Sequence, residues 1–412
     1  MSVGNDVRTG RRHAETLGTD LLLPPETIAV RREARAFAED VLRPIAHELN
    51  CTPERRDGFR HDVFQAIARA GLFAIPFAED VGGRGLQHPT LGTLVVVEEL
   101  GYYSAGIASA MYDAHVILVG KTLDTAGGAL RARFLPPLIR GEFVGSFATS
   151  EPQASTDLSA RSVHTVAHPV PGGWSVSGLK RWITNAPAAD YVVLLCRTGE
   201  RLSLLFADMH QDGITVGDPD LKMGNHAQLT ADVQLAKAFV PEENVIGDPG
   251  SGLRTALASL ALGRMGIGAV GVALAQRAFD VSADYISRRT VFGKPIGSFQ
   301  HWQFRFAEHA LEIEMARSLY QKAGQIADHG GDTSVLAAMA KIKGSALAVD
   351  VARDAIQACG GYGFARQIMG SGETWPLEAL YRDAKIGEIY EGANEVQKWI
   401  VARRIFGREI TG

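Results

Sequence analysis

Cysteine is scarce and scattered in this chain of 412 residues. The three cysteines, Cys51, Cys196 and Cys359, are odd in number, lie far apart and lack the spacing of metal ligands. Reduced, buried thiols are the simplest interpretation. The sequence therefore favours a cytoplasmic location and predicts no metal site.

The chain also lacks a strong imbalance of charge. It carries 42 Lys and Arg against 46 Asp and Glu, with a formal net charge of -4, which argues against a broad nucleic-acid-binding surface. The N-terminus has no apolar core of a signal peptide. The most apolar window, residues 257–274, is interrupted by Arg264 and several glycines, so we expect no membrane span.

Hydrophobic periodicity divides the chain into three parts after a polar tail at residues 1–20, which we expect to be disordered or loosely attached. Helical spacing of apolar residues dominates residues 21–144, and alternation with period two over 145–248 predicts short strands in a small barrel or sandwich. Among them we expect a hairpin that turns at Pro171, Gly172 and Gly173. Helical spacing returns over 249–412 and predicts an up-down four-helix bundle. The predicted fold is therefore α+β, with an N-terminal helical domain, a central β domain and a C-terminal bundle.

The segment RDAKIGEIYEGANEVQ, residues 382–397, holds the candidate catalytic group. A helix should end near Gly387, and a second should begin with Asn394 as its cap and Gln397 reaching back to it. Glu391 lies in the turn between them. A carboxylate in a dry pocket acquires the raised pKa that a general base needs, although a solvated glutamate at a helix junction is the commoner case.

Two segments of the strand region offer groups suited to a flavin. SFATSEPQASTD, residues 146–157, combines small hydroxyl side chains with free backbone N–H groups for a pyrimidine edge or phosphates. In GLKRWITNAPAADYVV, residues 178–193, Trp182 and Thr184 are two apart and share one face of a strand. Each has an ordinary alternative, a Ser/Thr-rich loop or a buried tryptophan of a barrel core.

Taken together and in this order, these segments resemble the signatures of the acyl-CoA dehydrogenase family over roughly residues 64–407. The resemblance implies FAD-dependent α,β-dehydrogenation of an acyl thioester. Glu391 would remove the α proton while the flavin N5 accepts a hydride from the β carbon. The residues implied to contact FAD from these segments are Phe147, Thr149, Ser150, Thr156, Trp182, Thr184, Asn394 and Glu395.

Two segments of the C-terminal part resemble those with which the family reaches the FAD of a neighbouring subunit. They are SRRTVFGKPIGSFQ, residues 287–300, and QACGGYGF, residues 357–364. The resemblance therefore implies a homodimer or homotetramer. The residues implied are Arg289, Phe292, Gln300, Gln357, Gly360 and Gly361. Alone, the Gly-Gly pair is as well explained by a helix C-cap.

Three further residues match positions around the acyl group: Arg264, Tyr390 and Gly392. For Arg264, an ion pair within the bundle is the alternative. The sequence departs from the family pattern at Ser155, where glycine is usual, and at Ala393, where threonine is usual. It departs also at Ser150 and Thr156, where threonine and serine are usual, but both positions keep a hydroxyl group. The segment 365–374 is several residues longer than usual.

The identity of the acyl thioester is left open by the sequence. Acyl-CoA and acyl-carrier-protein thioesters share the pantetheine arm, so the sequence does not decide between them. An electron-transfer flavoprotein is the acceptor that the resemblance implies. Two alternatives are an acyl-CoA oxidase that uses oxygen and a non-catalytic flavin or acyl-CoA binding subunit. Retention of Glu391 argues against the latter.

Overall fold

The computed structural model describes residues 12, 13, 17 and 20–411. Most of the predicted polar tail, residues 1–20, lies outside the described residues. Arg12, however, is firmly held: its guanidinium pairs with Glu99 at 2.5 Å and lies 3.8 Å from the centre of the Tyr102 ring. At this residue the expectation of a loose attachment is wrong.

The N-terminal part is helical because its apolar residues recur at helical spacing. Helix α1, Pro25–Phe37, continues through a π-helical turn, Ala38–Leu42, and a 3-10 turn, Arg43–Ile45, into α2, Ala46–Cys51. Its buried stripe is Val30, Ala34, Ala38 and Leu42. The helices that follow are α3 His61–Arg69, α4 Pro89–Gly101, α5 Ala105–Ile107, α6 Lys121–Ala126 and α7 Gly128–Ile139.

Helix α5 does not stop at Ile107 but continues as a π-helix over Ala108–Gly120. Every residue of this extension is buried, and so are most residues of α4. These two apolar segments form the centre of the helical part. The π-helical extension carries Ser109, Asp113 and His115 into the interior, where polar side chains are costly without partners.

The central part is one mixed sheet of eight strands with the order β6-β7-β3-β2-β4-β5-β8, and β1 pairs with β4 in parallel. The predicted hairpin is confirmed: β2 and β3 pair antiparallel, joined by a turn at residues 171–172. The strands are β1 Gly145–Ala148, β2 Val166–Val170, β3 Gly173–Thr184, β4 Tyr191–Thr198, β5 Arg201–Asp208, β6 Ile214–Val216, β7 Thr230–Pro241 and β8 Val245–Ile246.

Strand β4 attaches the sheet to the helices because both of its faces are buried. Val192, Leu194 and Cys196 face a core made within the sheet. Val193 and Leu195 face the core shared with the helices. A strand covered on both sides reads as a continuous apolar run, as YVVLLC does.

Helices return after the sheet and are built around α8, Gly252–Arg288, a helix of 37 residues. Its glycines allow α10 to approach at backbone distance, since a Cβ atom at Gly271 would lie 2.3 Å from the carbonyl group of Gly344. The other elements are α9 Gln300–Asp328, α10 Ser334–Cys359, α11 Gly361–Phe364, α12 Leu377–Ile386, α13 Asn394–Phe406, α14 Arg408–Thr411 and two short hairpins, β9 Thr290–Val291 with β10 Lys294–Pro295 and β11 Gln367–Ile368 with β12 Glu373–Thr374.

Among the described helices, only α8 is long enough and apolar enough to cross a membrane. Within the protein, 78% of its most apolar window is buried. Burial against α4, α9 and α10 accounts for its apolar sequence.

The close approach of α8 and α10 gives a stability prediction. We expect Gly271→Ala to lower the free energy of unfolding by about 1–3 kcal/mol, because the new methyl group meets backbone that cannot move aside. Gly370→Ala is the control, since nothing lies within 4 Å of a Cβ there. Chemical denaturation measures both, and equal stability of the two variants would contradict the packing described.

Candidate active site

The turn between α12 and α13 presents Glu391 to the interior. Helix α12 ends at Ile386 with Gly387 as its C-cap, as predicted. Glu391 then adopts a left-handed conformation with φ of 56°, which is uncommon for a residue other than glycine and persists only where its surroundings enforce it. Gly392 follows with φ of 88°, so the turn consists of two successive left-handed residues.

Two side chains hold this turn by its carbonyl groups. Nε of Arg264 donates to the carbonyl oxygen of Glu391 at 3.1 Å. Nε2 of Gln397 donates to the carbonyl oxygen of Gly392 at 2.9 Å and to that of Glu391 at 3.4 Å. Arg264 thus binds the backbone beside the carboxylate, and burial lowers the pKa of its guanidinium.

The predicted capping arrangement at α13 is wrong. The N-cap is Ala393 without a side-chain bond, and Asn394 is the first helical residue. Its amide oxygen accepts from Nζ of Lys341 at 2.9 Å, and its amide nitrogen donates to Oγ of Ser345 at 3.1 Å. Asn394 therefore ties the turn to α10, because a fully buried lysine needs an acceptor more than a helix end needs a cap.

Glu391 is half-buried, and one oxygen of its carboxyl group is fully enclosed. Its Oε2 is buried and has no hydrogen-bond partner. A Cβ atom at Gly263 would lie 2.8 Å from Oε2, so this glycine of α8 provides the space that the carboxyl group occupies. Burial raises the pKa of Glu391 to about 7, against the opposing charges of Arg264 and Lys341. This value matches that of a general base working at neutral pH.

The two predicted flavin segments lie side by side in the sheet. Oγ of Ser146 donates to the carbonyl oxygen of Thr184 at 2.6 Å, and the N–H of Arg181 donates to the carbonyl oxygen of Ser150 at 3.0 Å. Phe147 and Thr149 are nearly buried, whereas Ser150 is half-buried. The segments 146–150 and 181–184 therefore form one continuous surface.

Trp182 occupies a β-bulge rather than a regular strand position. The register of β3 against β7 shifts between Lys180 and Ile183, and Trp182 is left-handed with φ of 57°. Ile183 is buried, while the indole of Trp182 is 58% exposed and Thr184 is half-buried. The alternative of a tryptophan in a barrel core does not apply. Bulges commonly redirect a side chain beside a binding site.

Buried hydrogen bonds connect this surface to the Glu391 turn. Nδ2 of Asn185 donates to the carbonyl oxygen of Ala110 at 2.8 Å and to that of Gly145 at 3.2 Å. Ala110 lies on the π-helical extension, and so does Ser109. The hydroxyl group of Ser109 shares a hydrogen bond of 3.1 Å with that of Tyr390, the residue before Glu391. The base, the extension and the strand ends thus form one site.

Lys180 and Glu151 fix the loop that follows β1. Nζ of the fully buried Lys180 donates to Oε1 of Glu151 at 2.9 Å and to the carbonyl oxygens of Leu195 and Thr149 at 2.6 and 3.3 Å. Glu151 also accepts the N–H groups of residues 164 and 165. This pair holds the hydroxyl-rich loop against the sheet.

A second group of predicted residues lies far from Glu391 in the same chain. Arg289 follows Arg264 by 25 positions along α8, which is about 37 Å at the rise of an α-helix. Phe292, at 96% exposure, turns a hairpin with φ of 50°. All of this group are exposed in the single chain: Arg289, Phe292, Gln300, Gln357, Gly360 and Gly361.

The remaining predicted contacts, Thr156 and Glu395, are also exposed. The long segment 365–374 contains a small surface hairpin, β11 with β12. Sequence reasoning missed the supports described above, Lys180, Lys341 and Asn185, and the buried Asp113. For Asp113 the available signal was a lone charged side chain within an apolar run, which marks a buried ionisable group.

The described residues fit a flavin at this surface. Half-buried and exposed hydroxyl groups and an exposed indole lie on the surface formed by residues 146–150 and 181–184. Hydrogen bonds of Asn185 and Ser109 connect this surface to the turn that carries the unpartnered Glu391 carboxyl group. Hydroxyl and N–H donors suit a pyrimidine ring and phosphates. Among the residues that the structure describes, no cluster of three His, Cys, Asp or Glu is arranged to hold a metal ion.

Family models match the chain along most of its length. The model described as the acyl-CoA dehydrogenase N-terminal domain matches residues 24–142, the middle domain matches residues 146–238, and the C-terminal domain matches residues 250–406. These ranges correspond to the helical, strand and helical parts of the structure.

Individual relatives agree with these matches. The short-chain specific acyl-CoA dehydrogenase of Clostridium acetobutylicum is 33% identical over 94% of this chain and 100% of its own length. A structure of an electron transferring flavoprotein of Acidaminococcus fermentans has a TM-score of 0.87 and 31% identity, covering 94% of this chain and 99% of that chain. The prolyl acyl carrier protein oxidase AnaB has a TM-score of 0.84 and 25% identity, covering 93% and 99%.

The Lys180–Glu151 pair gives a testable prediction. Lys180→Met should lower the free energy of unfolding by about 3–5 kcal/mol, because it leaves a buried carboxylate without its cation. Lys237→Met makes the same change at an exposed position of the neighbouring strand β7 and should be close to neutral. Denaturant titration of both variants is the measurement. A Lys180→Met protein as stable as Lys237→Met would contradict the described role of the pair.

Proposed function

Because this chain belongs to the acyl-CoA dehydrogenase family, we propose that it catalyses FAD-dependent α,β-dehydrogenation of an acyl thioester with Glu391 as the base. Enzymes of this family are oxidoreductases that act on CH–CH groups, and they are flavoproteins. The observation that carries the assignment of the base is the buried Glu391 carboxyl group, which has no partner on Oε2 and a pKa of about 7.

Glu391 takes the proton from the α carbon in this proposal. A carbon acid of this kind is far too weak for a carboxylate in water, so negative charge developing on the thioester oxygen must be stabilised. The backbone N–H of Glu391 makes no bond within the described part of the chain and is our candidate donor. Arg264 and Gln397 bind the carbonyl oxygens of Glu391 and Gly392. These bonds fix the position of the Glu391 N–H relative to its carboxyl group.

FAD, when bound, supplies the acceptor for the hydride that leaves the β carbon. In the proposal it is held from this chain by Phe147, Thr149, Ser150, Thr156, Trp182, Thr184, Asn394 and Glu395. The exposed group at Arg289, Phe292, Gln300, Gln357, Gly360 and Gly361 would serve the site of a second subunit. The separation of about 37 Å between Arg289 and Arg264 along α8 supports that assignment.

The thioester enters as acyl-CoA or as an acyl group on a carrier protein in this proposal. Similarity to the short-chain dehydrogenase supports the first, and similarity to the prolyl acyl carrier protein oxidase supports the second. An electron-transfer flavoprotein is the proposed acceptor and a homodimer or homotetramer the proposed assembly. A cytoplasmic location stays a prediction. Direct use of oxygen is the second candidate, favoured by the likeness to AnaB.

The pKa of Glu391 predicts the pH dependence of the reaction. Only the deprotonated carboxylate accepts a proton, and burial raises the pKa to about 7. Therefore kcat/KM should rise with pH, about tenfold per unit below 7, and level off above it. Steady-state rates with one acyl-CoA between pH 5 and 9 measure this. A profile that is nearly flat from pH 5 upward, as expected for a solvated glutamate with a pKa of about 4.3, would contradict the dry site.

Loss of the base should abolish reduction of the flavin but not its binding. The wild-type protein, mixed anaerobically with a panel of acyl-CoA and acyl-carrier thioesters, should lose its visible flavin absorbance. Glu391→Gln should take up FAD and stay yellow, with a loss of at least about 10²-fold in rate.

Glu388→Gln is the matched control for this experiment. It lies three residues away, and its carboxylate pairs with Lys385 at the surface. This variant should bleach like the wild type. Bleaching by Glu391→Gln at the wild-type rate would overturn the base assignment. Oxygen consumption matching turnover in air would favour the oxidase.

A further inference from the structure

A second buried carboxyl group faces the same helix as Glu391. Asp113, on the π-helical extension of α5, is 3% exposed, and its Oδ1 is buried without a hydrogen-bond partner. A Cβ atom at Gly266 would lie 2.5 Å from this oxygen. Gly266 of α8 thus provides the space for Asp113, as Gly263 does for Glu391.

Gly263 and Gly266 are one turn apart on a single face of α8, where side chains three residues apart are neighbours. The two carboxyl groups therefore meet α8 one turn apart and lie in the same region. Ser109, one turn before Asp113, bonds to Tyr390. Burial, followed by the charge of Glu391, raises the pKa of Asp113 well above its usual range. Asp113 thus belongs to the space around the base, not to a separate cluster.

The other side chains that come close to these two glycines are apolar. Cδ1 of Ile117 lies 3.4 Å from a Cβ placed at Gly266, and Cδ2 of Leu118 lies 3.1 Å from one placed at Gly263. The negative charge of Glu391 repels that of Asp113, so Glu391 does not serve Asp113 as a favourable partner. An unsubstituted aliphatic acyl chain would leave the carboxyl group unsatisfied, at a cost in free energy.

We propose that Asp113 is a specificity-determining residue that accepts a hydrogen bond from an O–H or N–H group carried by the acyl chain of the substrate. This inference rests on the proposed function and specifies its substrate class as hydroxy- or amino-substituted acyl thioesters. No chemical step passes through Asp113. Its contribution is to binding, and it discriminates because a site built around a polar group rejects the analogue that lacks it.

The test compares hexanoyl-CoA with hexanoyl-CoA bearing a hydroxyl or an amino group at carbon 5 or 6. For the wild type, kcat/KM should favour at least one substituted thioester by about 10- to 100-fold, the range for satisfying a buried polar group that is otherwise left without a hydrogen bond. The dissociation constants of the same compounds, measured calorimetrically with the non-turnover Glu391→Gln variant, should show the same order. The hydroxyl and amino arms distinguish the two kinds of donor.

Two variants separate recognition from structural support. Asp113→Leu should lose the preference and bind plain hexanoyl-CoA at least as well as the wild type. Asp113→Asn, which keeps an acceptor but cannot ionise beside an ammonium group, should retain more of the preference for the hydroxyl than for the amino compound. FAD content and circular dichroism report whether each variant is folded.

The outcomes are separable from those of the proposed function. A wild type that reduces its flavin equally well with plain and all substituted thioesters would overturn the role of Asp113 while leaving dehydrogenation intact. An equal loss of kcat/KM for every substrate in both Asp113 variants would also overturn the role of Asp113. Failure of the wild type with every thioester would instead reject the proposed function.

Discussion

A carboxyl group kept away from water and from any cation that would bind it directly is the constraint around which this molecule is arranged. Charged groups are rarely buried without partners, yet Oε2 of Glu391 has none. Arg264 and Lys341 are close enough to affect its pKa, but their hydrogen bonds go to a backbone carbonyl and to Asn394. The cations hold the turn in place, and the carboxyl group is left with the proton affinity of a base.

The three parts of the chain each contribute to keeping this arrangement dry and connected. Glycines of α8 provide space for the carboxyl groups on one side and close contact with α10 on the other. The π-helical extension of α5 meets the turn through Ser109 and meets the sheet through Ala110. A π-helix is rare and is often found at functional sites. Here it brings the strand ends and the base together.

Much of this organisation could be predicted from sequence because it is local. The order of helices and strands, the hairpin at residues 171–172 and the end of α12 near Gly387 all follow from patterns within a few residues. The cap at Asn394 failed because its amide is taken by Lys341, 53 positions away. Asp113 and Glu391 are 278 positions apart in the sequence. No local pattern predicts that both carboxyl groups face glycines on the same side of α8. The anchoring of Arg12 by Glu99 was missed for the same reason.

Removal of the α proton is the central claim, and its most direct measurement is hydrogen exchange without oxidation. An acyl-CoA whose β carbon is replaced by sulfur has no β hydride to lose, so incubation in deuterated water followed by mass spectrometry reports proton removal alone. The account predicts that deuterium enters the α position with the wild type and at least about 10²-fold more slowly with Glu391→Gln. Equal incorporation by the two proteins would contradict it.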